Sequence, residues 1–107
     1  MAPALGQGFH TDEQTEHIIA PMFIVAGKGD TNTPVERNAQ VYHSLIKTSE
    51  LHLFDQYVNH YVFLNEATAF GKEILPDLTI DHPSINRKKI HEKTRQLAID
   101  FFNKHFK

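Results

Sequence analysis

Ala20-Pro21-Met22-Phe23-Ile24-Val25-Ala26-Gly27-Lys28-Gly29-Asp30 is the stretch that decides the fold. Met22 to Ala26 form a short, unbroken apolar run. Such a run, bounded by turn signals, predicts a strand covered on both faces, as in a parallel sheet. Pro21 stands where a strand can begin without losing a ladder hydrogen bond. Gly27 and Gly29 are expected to let the backbone turn sharply. Asp30 is the first ionisable group beyond that turn. In an open α/β sheet, ligands and chemistry sit in the crevice at the carboxyl ends of the strands. A lone Asp after a strand is ordinarily a cap or a turn former. Its meaning depends on what else reaches the same edge.

Downstream, Thr33-Pro34-Val35-Glu36 reads as a capping box with proline in the first turn. It predicts a helix from Pro34 to about Lys47, with Val35, Ala39, Tyr42, Leu45 and Ile46 as its buried stripe. Glu50 to Phe54 reads as a second strand. The result is a strand–helix–strand unit with parallel strands and a right-handed crossover. It puts Asp30 and the segment from Asp55 to His60 on the same edge of the sheet. Asp55 to Asn59 reads as a loop, Tyr61 to Lys72 as a helix ending near Gly71, and Pro76 to Pro83 as irregular. Asp81 or Ser84 is expected to cap a last helix. Its buried face is Ile90, Leu97, Ala98, Phe101 and Phe106, and its wet face Lys88, Lys89, Glu92, Lys93 and Arg95. Upstream, Met1 to Phe9 reads as a loop, and Thr11 could cap a short helix over Asp12 to Ile18 with Gln14 completing a capping box.

Composition removes several function classes. The chain has 107 residues, 40% hydrophobic and 22% charged, with a net charge of −2. That is one small globular domain or a piece of a larger one, and not a disordered chain. No basic stripe argues for nucleic acid. There is no cysteine, hence no thiolate nucleophile and no Cys-based zinc site. No apolar run approaches the ~18 residues that span a bilayer. The first residues, MAPALGQGF, lack a signal peptide's basic and apolar regions. These features fit a cytoplasmic setting, with no membrane partner.

Asp30 and His60 form the candidate catalytic constellation. A carboxylate can hold an imidazole by its Nδ1 proton and leave the other nitrogen free as a general base on a hydroxyl nucleophile. The remaining histidines, His10, His17, His43, His52, His82, His91 and His105, show no metal-ligand spacing. His91-Glu92 begins the H-E-x-x-H pattern, but Arg95 stands where the second histidine belongs. No metal and no cofactor is expected. Lys28 in the Gly-Lys-Gly turn lacks the rest of a P-loop and reads as a solvated lysine. Tyr57 and Tyr61 flank His60 and read equally as pocket lining or as packing.

These residues resemble a known family. Ile18 to Pro34, in the pattern I-x-x-P-x-x-x-x-x-G-x-x-D-x-x-x-P, is similar to the acid-bearing strand and turn of α/β-hydrolases. Asn59-His60-Tyr61-Val62-Phe63-Leu64 is similar to their histidine loop, and the order Asp then His agrees with their Ser–Asp–His chain order. HYVFLNEAT (60–68), DHPSINRKKIHEKT (81–94), LAIDFFNKHF (97–106) and APALGQGF (2–9) resemble dienelactone hydrolase-like esterases, which are in turn similar to platelet-activating-factor acetylhydrolases. The resemblance covers essentially the whole chain. It implies the C-terminal strand–helix–strand-plus-helix portion of a three-layer α/β-hydrolase fold. It also implies Asp30 and His60 as the acid and histidine of a triad, acting on a small ester or lactone.

Two positions depart from the family pattern. Asn59 stands where glycine often precedes the histidine, and Asn tolerates unusual backbone angles. The larger departure is that G-x-S-x-G occurs nowhere; the serines are Ser44, Ser49 and Ser84. The expectation is therefore two triad members without the nucleophile, and a chain that is inactive alone. Exposed sheet edges predict a homo-oligomer. The competing reading is a non-catalytic α/β module that uses those edges to oligomerise or bind a partner. A flavodoxin-like binding domain would need more strands and a phosphate-cradling loop, and neither is present in the sequence.

Overall fold

A computed structural model of the chain describes residues 12–106. The expected loop over Met1 to Phe9, the Thr11 cap and the stretch 2–9 that resembles the family lie outside the described residues. The elements run in order: α1 (Asp12–Thr15), β1 (Met22–Gly27), a 3-10 turn (Val35–Arg37), α2 (Ala39–Leu45), β2 (Ser49–Phe54), a second 3-10 turn (His60–Phe63), α3 (Ala69–Ile74), α4 (Pro76–Thr79) and α5 (Arg87–His105). This is a mixed helix–strand architecture around a parallel sheet of two strands.

β1 and β2 pair in register from Met22 opposite Ser49 to Gly27 opposite Phe54. Successive side chains of a strand point to opposite faces, and both faces are covered here. Ile24, Ala26, Leu51 and Leu53 pack against Val35, Ala39 and Tyr42 on the α2 side. Phe23, Val25 and Phe54 pack against Val58, Val62, Phe63, Ile85, Ile90 and Leu97 on the α5 side. This two-sided burial is why β1 reads as a continuous apolar run rather than an alternating one. Val58 and Val62 are fully buried. Burying each contributes about 1.5–3 kcal/mol, so the loop between β2 and the second turn is held as firmly as the strands. Phe101 of α5 stacks on Phe23, with ring centroids 5.5 Å apart.

The helices differ from expectation in instructive ways. The single helix expected from Pro34 to Lys47 is split at Asn38, whose φ and ψ are −129° and −86°. A continuous helix would send the Asn38 amide to the Pro34 carbonyl. Instead the Asn38 side-chain amide donates to that carbonyl at 2.9 Å, and the backbone amide turns to Val35 at 3.4 Å. A short polar side chain has displaced the backbone from its own ladder. The stripe survives the break: Val35, Ala39 and Ile46 are buried. The helix expected over Tyr61 to Lys72 is likewise two pieces, the turn at His60–Phe63 and α3, with Gly71 inside α3 rather than ending it. Thr68 caps α3 by accepting from the Gly71 amide at 3.1 Å. Within the expected irregular stretch, Pro76 opens the short helix α4.

Asn86, not Asp81 or Ser84, caps α5, accepting from the Lys89 amide at 3.3 Å. Asp81 is engaged by Arg87 and Ser84 by His82. Lys88, Lys89, Glu92, Lys93 and Arg95 are exposed as expected. Phe106 is not buried; it is 67% exposed, because it caps the end of α5 and lies against Phe102, itself exposed. Among the described residues, neither outer edge of the sheet has a strand partner.

Candidate active site

The glycines of the Gly27-Lys28-Gly29 turn matter for proximity. A Cβ on Gly27 would be driven into the Val58 carbonyl, and one on Gly29 would lie 2.5 Å from the Gln56 carbonyl oxygen. The turn after β1 therefore lies directly against the loop after β2. Two main-chain bonds join them: the Lys28 amide donates to the Phe54 carbonyl at 3.1 Å, and the Gly29 amide to the Val58 carbonyl at 3.0 Å. The expected turn is present, closed by the Asp30 amide on the Gly27 carbonyl at 3.1 Å, and the glycines have a second use there. They are small so that two loops can touch, and that contact carries Asp30 to His60.

The Asp30 side chain is fully buried, while the His60 ring keeps 30% of its surface exposed. His60 Nδ1 lies 2.8 Å from Asp30 Oδ2. Every other bond to the carboxylate comes from a donor. Oδ1 accepts from the Asn32 amide at 3.0 Å and from the Thr33 amide at 2.7 Å. Oδ2 also accepts from the Thr33 hydroxyl at 2.7 Å. Burial pushes the Asp30 carboxyl up. The Thr33 amide, the His60 ring, the Thr33 hydroxyl and the His60 charge together outweigh it, and hold the group below the usual carboxylate value. An ionised carboxylate can only accept, so the proton of neutral His60 sits on Nδ1 and Nε2 carries the lone pair. A buried anion that fixes an imidazole in this tautomer is the arrangement a general base requires.

Three contacts hold the histidine turn. Asn59 has extended backbone angles, φ −90° and ψ −178°, so no unusual conformation is needed there. Its side chain caps the turn instead, accepting from the Tyr61 amide at 3.0 Å. The Asn32 side-chain amide donates to the Tyr61 hydroxyl at 3.0 Å, bracing the two loops. From α5, His91 Nε2 donates to the Val62 carbonyl at 2.7 Å. Tyr61 meets the His60 ring edge-on at 5.0 Å. Tyr57 lies flat on His82, with centroids 3.9 Å apart.

Sequence reasoning missed Arg87. It is 3% exposed, while the other lysines and arginines among the described residues lie at the surface. Its guanidinium grips Asp81 through two bonds, Nε to Oδ2 at 2.9 Å and Nη2 to Oδ1 at 2.8 Å. It also donates to the carbonyls of Leu64, Asn65 and Leu78. It thus fastens the segment leaving the histidine turn to the start of α5. Asp81 and Arg87 share no periodic pattern, and only their place in the 81–94 stretch hinted at a role. Thr33, read as a helix cap, is instead committed to Asp30.

A cavity of about 550 Å³ lies elsewhere, between α4 and the start of α5, and includes neither Asp30 nor His60. It is an open polar cleft, separate from the strand ends that carry Asp30 and His60. Among the described residues no three His, Asp or Glu side chains are grouped to hold a metal ion. No helix among them is long and apolar enough to cross a membrane. No family model matches the chain, and neither the curated proteins nor the solved structures yield a match.

Proposed function

We propose that this chain is the C-terminal portion of a serine-type carboxylic-ester or lactone hydrolase of the dienelactone hydrolase-like kind, contributing the Asp30–His60 pair to a Ser–Asp–His triad. The sheet with helices on both faces would be part of that fold's three layers. One observation carries the reading: a sealed carboxylate 2.8 Å from an imidazole nitrogen, the two placed beyond adjacent ends of parallel strands. Charge sealed in this way is costly unless the pairing is used or fully satisfied. In the complete enzyme, His60 Nε2 would take the proton of an upstream serine as that serine attacks the acyl carbon. It would then return the proton to the leaving alcohol. Asp30 would stay ionised, fixing the ring and stabilising the imidazolium. An Asp–His pair with neither a nucleophile nor oxyanion donors cannot carry out acyl transfer. The chain alone should therefore hydrolyse a nitrophenyl ester no faster than a solvated histidine does. Turnover that disappears in His60→Ala would sink the reading, as would an in-frame stop immediately before the Met1 codon. A reading frame that continues upstream into a strand and G-x-S-x-G would support it.

A second reading has its own observation. The two-stranded sheet has no further strand among the described residues, and Ile99, Phe102 and Phe106 are exposed on α5. Unpaired edges and uncovered apolar surface favour self-association. A homo-oligomer joined through sheet edges would satisfy both.

A further inference from the structure

The Thr33 side chain makes two contacts that its expected role as a helix cap does not use. Its hydroxyl lies 2.7 Å from Asp30 Oδ2 and 3.3 Å from His60 Nδ1. Its backbone amide, at 2.7 Å, takes the other carboxylate oxygen. Asp30 Oδ2 is thus shared by exactly two side chains, the imidazole and this hydroxyl, while Oδ1 is held by main chain alone. A hydroxyl has one proton to donate and lone pairs to accept with. With its proton committed to Oδ2, the Thr33 oxygen faces Nδ1 as an acceptor. The Nδ1 proton then has two acceptors, a strong one at 2.8 Å and a weaker one at 3.3 Å. The terminal torsion of an aspartate is soft, and without the Thr33 hydroxyl Oδ2 has only the partly exposed imidazole to hold it. Thr33 pins both oxygens.

We propose that the Thr33 hydroxyl is the positioning residue of the Asp30–His60 pair: it locks the carboxylate and secures the Nδ1–H form of His60. This rests on reading the pair as an acid–base couple, yet it is measured without substrate, so the two can fail separately. His60 acts on the proton; Thr33 acts only through Asp30 and the ring.

The test is nitrogen-15 NMR of the His60 side chain in the whole chain, which reads the ratio of Nδ1–H to Nε2–H forms above the titration of the ring. Thr33→Val keeps the shape and the backbone amide and removes the hydroxyl. The bond that the Nδ1 proton loses is to a neutral hydroxyl, and such a bond is worth about two- to tenfold in an equilibrium constant. The expected result is a three- to tenfold fall of that ratio, on the order of one such bond lost. Thr33→Ser keeps the hydroxyl and should hold the native ratio. If Thr33→Val fails to fold, Thr33→Ala gives the same readout. A native ratio in the hydroxyl-less variant overturns the inference. So does a fall in Thr33→Ser as large as in Thr33→Val, since the methyl group would then be responsible. Ester hydrolysis by a reconstituted enzyme bears on the proposed function alone.

Discussion

Asp30→Asn keeps the shape of the side chain and removes its charge. In the native chain the carboxylate accepts four hydrogen bonds, from the Asn32 and Thr33 amides, the Thr33 hydroxyl and His60 Nδ1. The introduced amide has one oxygen for the two main-chain donors. Its NH₂ must then face the hydroxyl and the imidazole. The hydroxyl can rotate to accept. The imidazole can accept only by moving its proton to Nε2, which removes the free lone pair there. Bonds to a charged acceptor contribute about 1.5–3 kcal/mol, against about 0.5–1.5 for neutral ones. Four bonds weakened and partly rearranged, discounted because the ring is partly in water, come to roughly 2–4 kcal/mol of lost stability at neutral pH. The pH dependence has a definite sign. Asp30 titrates lower in the folded chain than in the unfolded one. Its stabilisation is therefore present above the unfolded value of about 3.9 and disappears as pH falls through the lower folded value. The gap between native and variant should be widest above about pH 5 and close in acid. The chain has no tryptophan, so urea unfolding followed by far-ultraviolet circular dichroism at pH 7 and pH 3 is the assay. A variant as stable as the native chain at pH 7, or a gap that does not narrow at pH 3, would refute the account of the site.

Other expectations follow from the same contacts. Gly29→Ala should cost about 1–3 kcal/mol in urea unfolding, because the new methyl meets the Gln56 carbonyl and pushes the two loops apart. It should also weaken the His60–Asp30 bond, seen as loss of the protected Nδ1 proton in NMR. Arg87→Met should be the most damaging surface-distant change, at about 3–5 kcal/mol, since it strands the Asp81 carboxylate. Arg87→Met with Asp81→Leu should recover part of that loss in a double-mutant cycle. Light scattering of the isolated chain should give a dimer or larger species; a stable monomer would count against association through the sheet edges.

How much was legible depended on whether neighbours in sequence carried the information. Both strands, their parallel order and the final helix could be read from local patterns, and β1 most clearly, because its burial on two faces demands an unbroken apolar run. The helix over Pro34 to Lys47 was misjudged because Asn38 competes for the Pro34 carbonyl, and a propensity argument does not count that bond. The capping box failed for a related reason. The Thr33 side chain is turned to Asp30 and His60, donating to the buried carboxylate and facing Nδ1, so its oxygen does not accept from a first-turn amide as a cap would. Arg87 was invisible, since its partners at Leu64, Asn65, Leu78 and Asp81 meet only when the segment folds back.

Asp30 and His60 show the division most clearly. Local patterning alone places each after a strand, and parallel pairing brings both to one edge. Only the tertiary structure decided that they touch, that the carboxylate is sealed and ionised, and that Thr33 completes the pair. A carboxylate's charge state and an imidazole's tautomer depend on donors and solvent within a few ångströms, and those distances are set by how closely Gly27 and Gly29 let two loops approach.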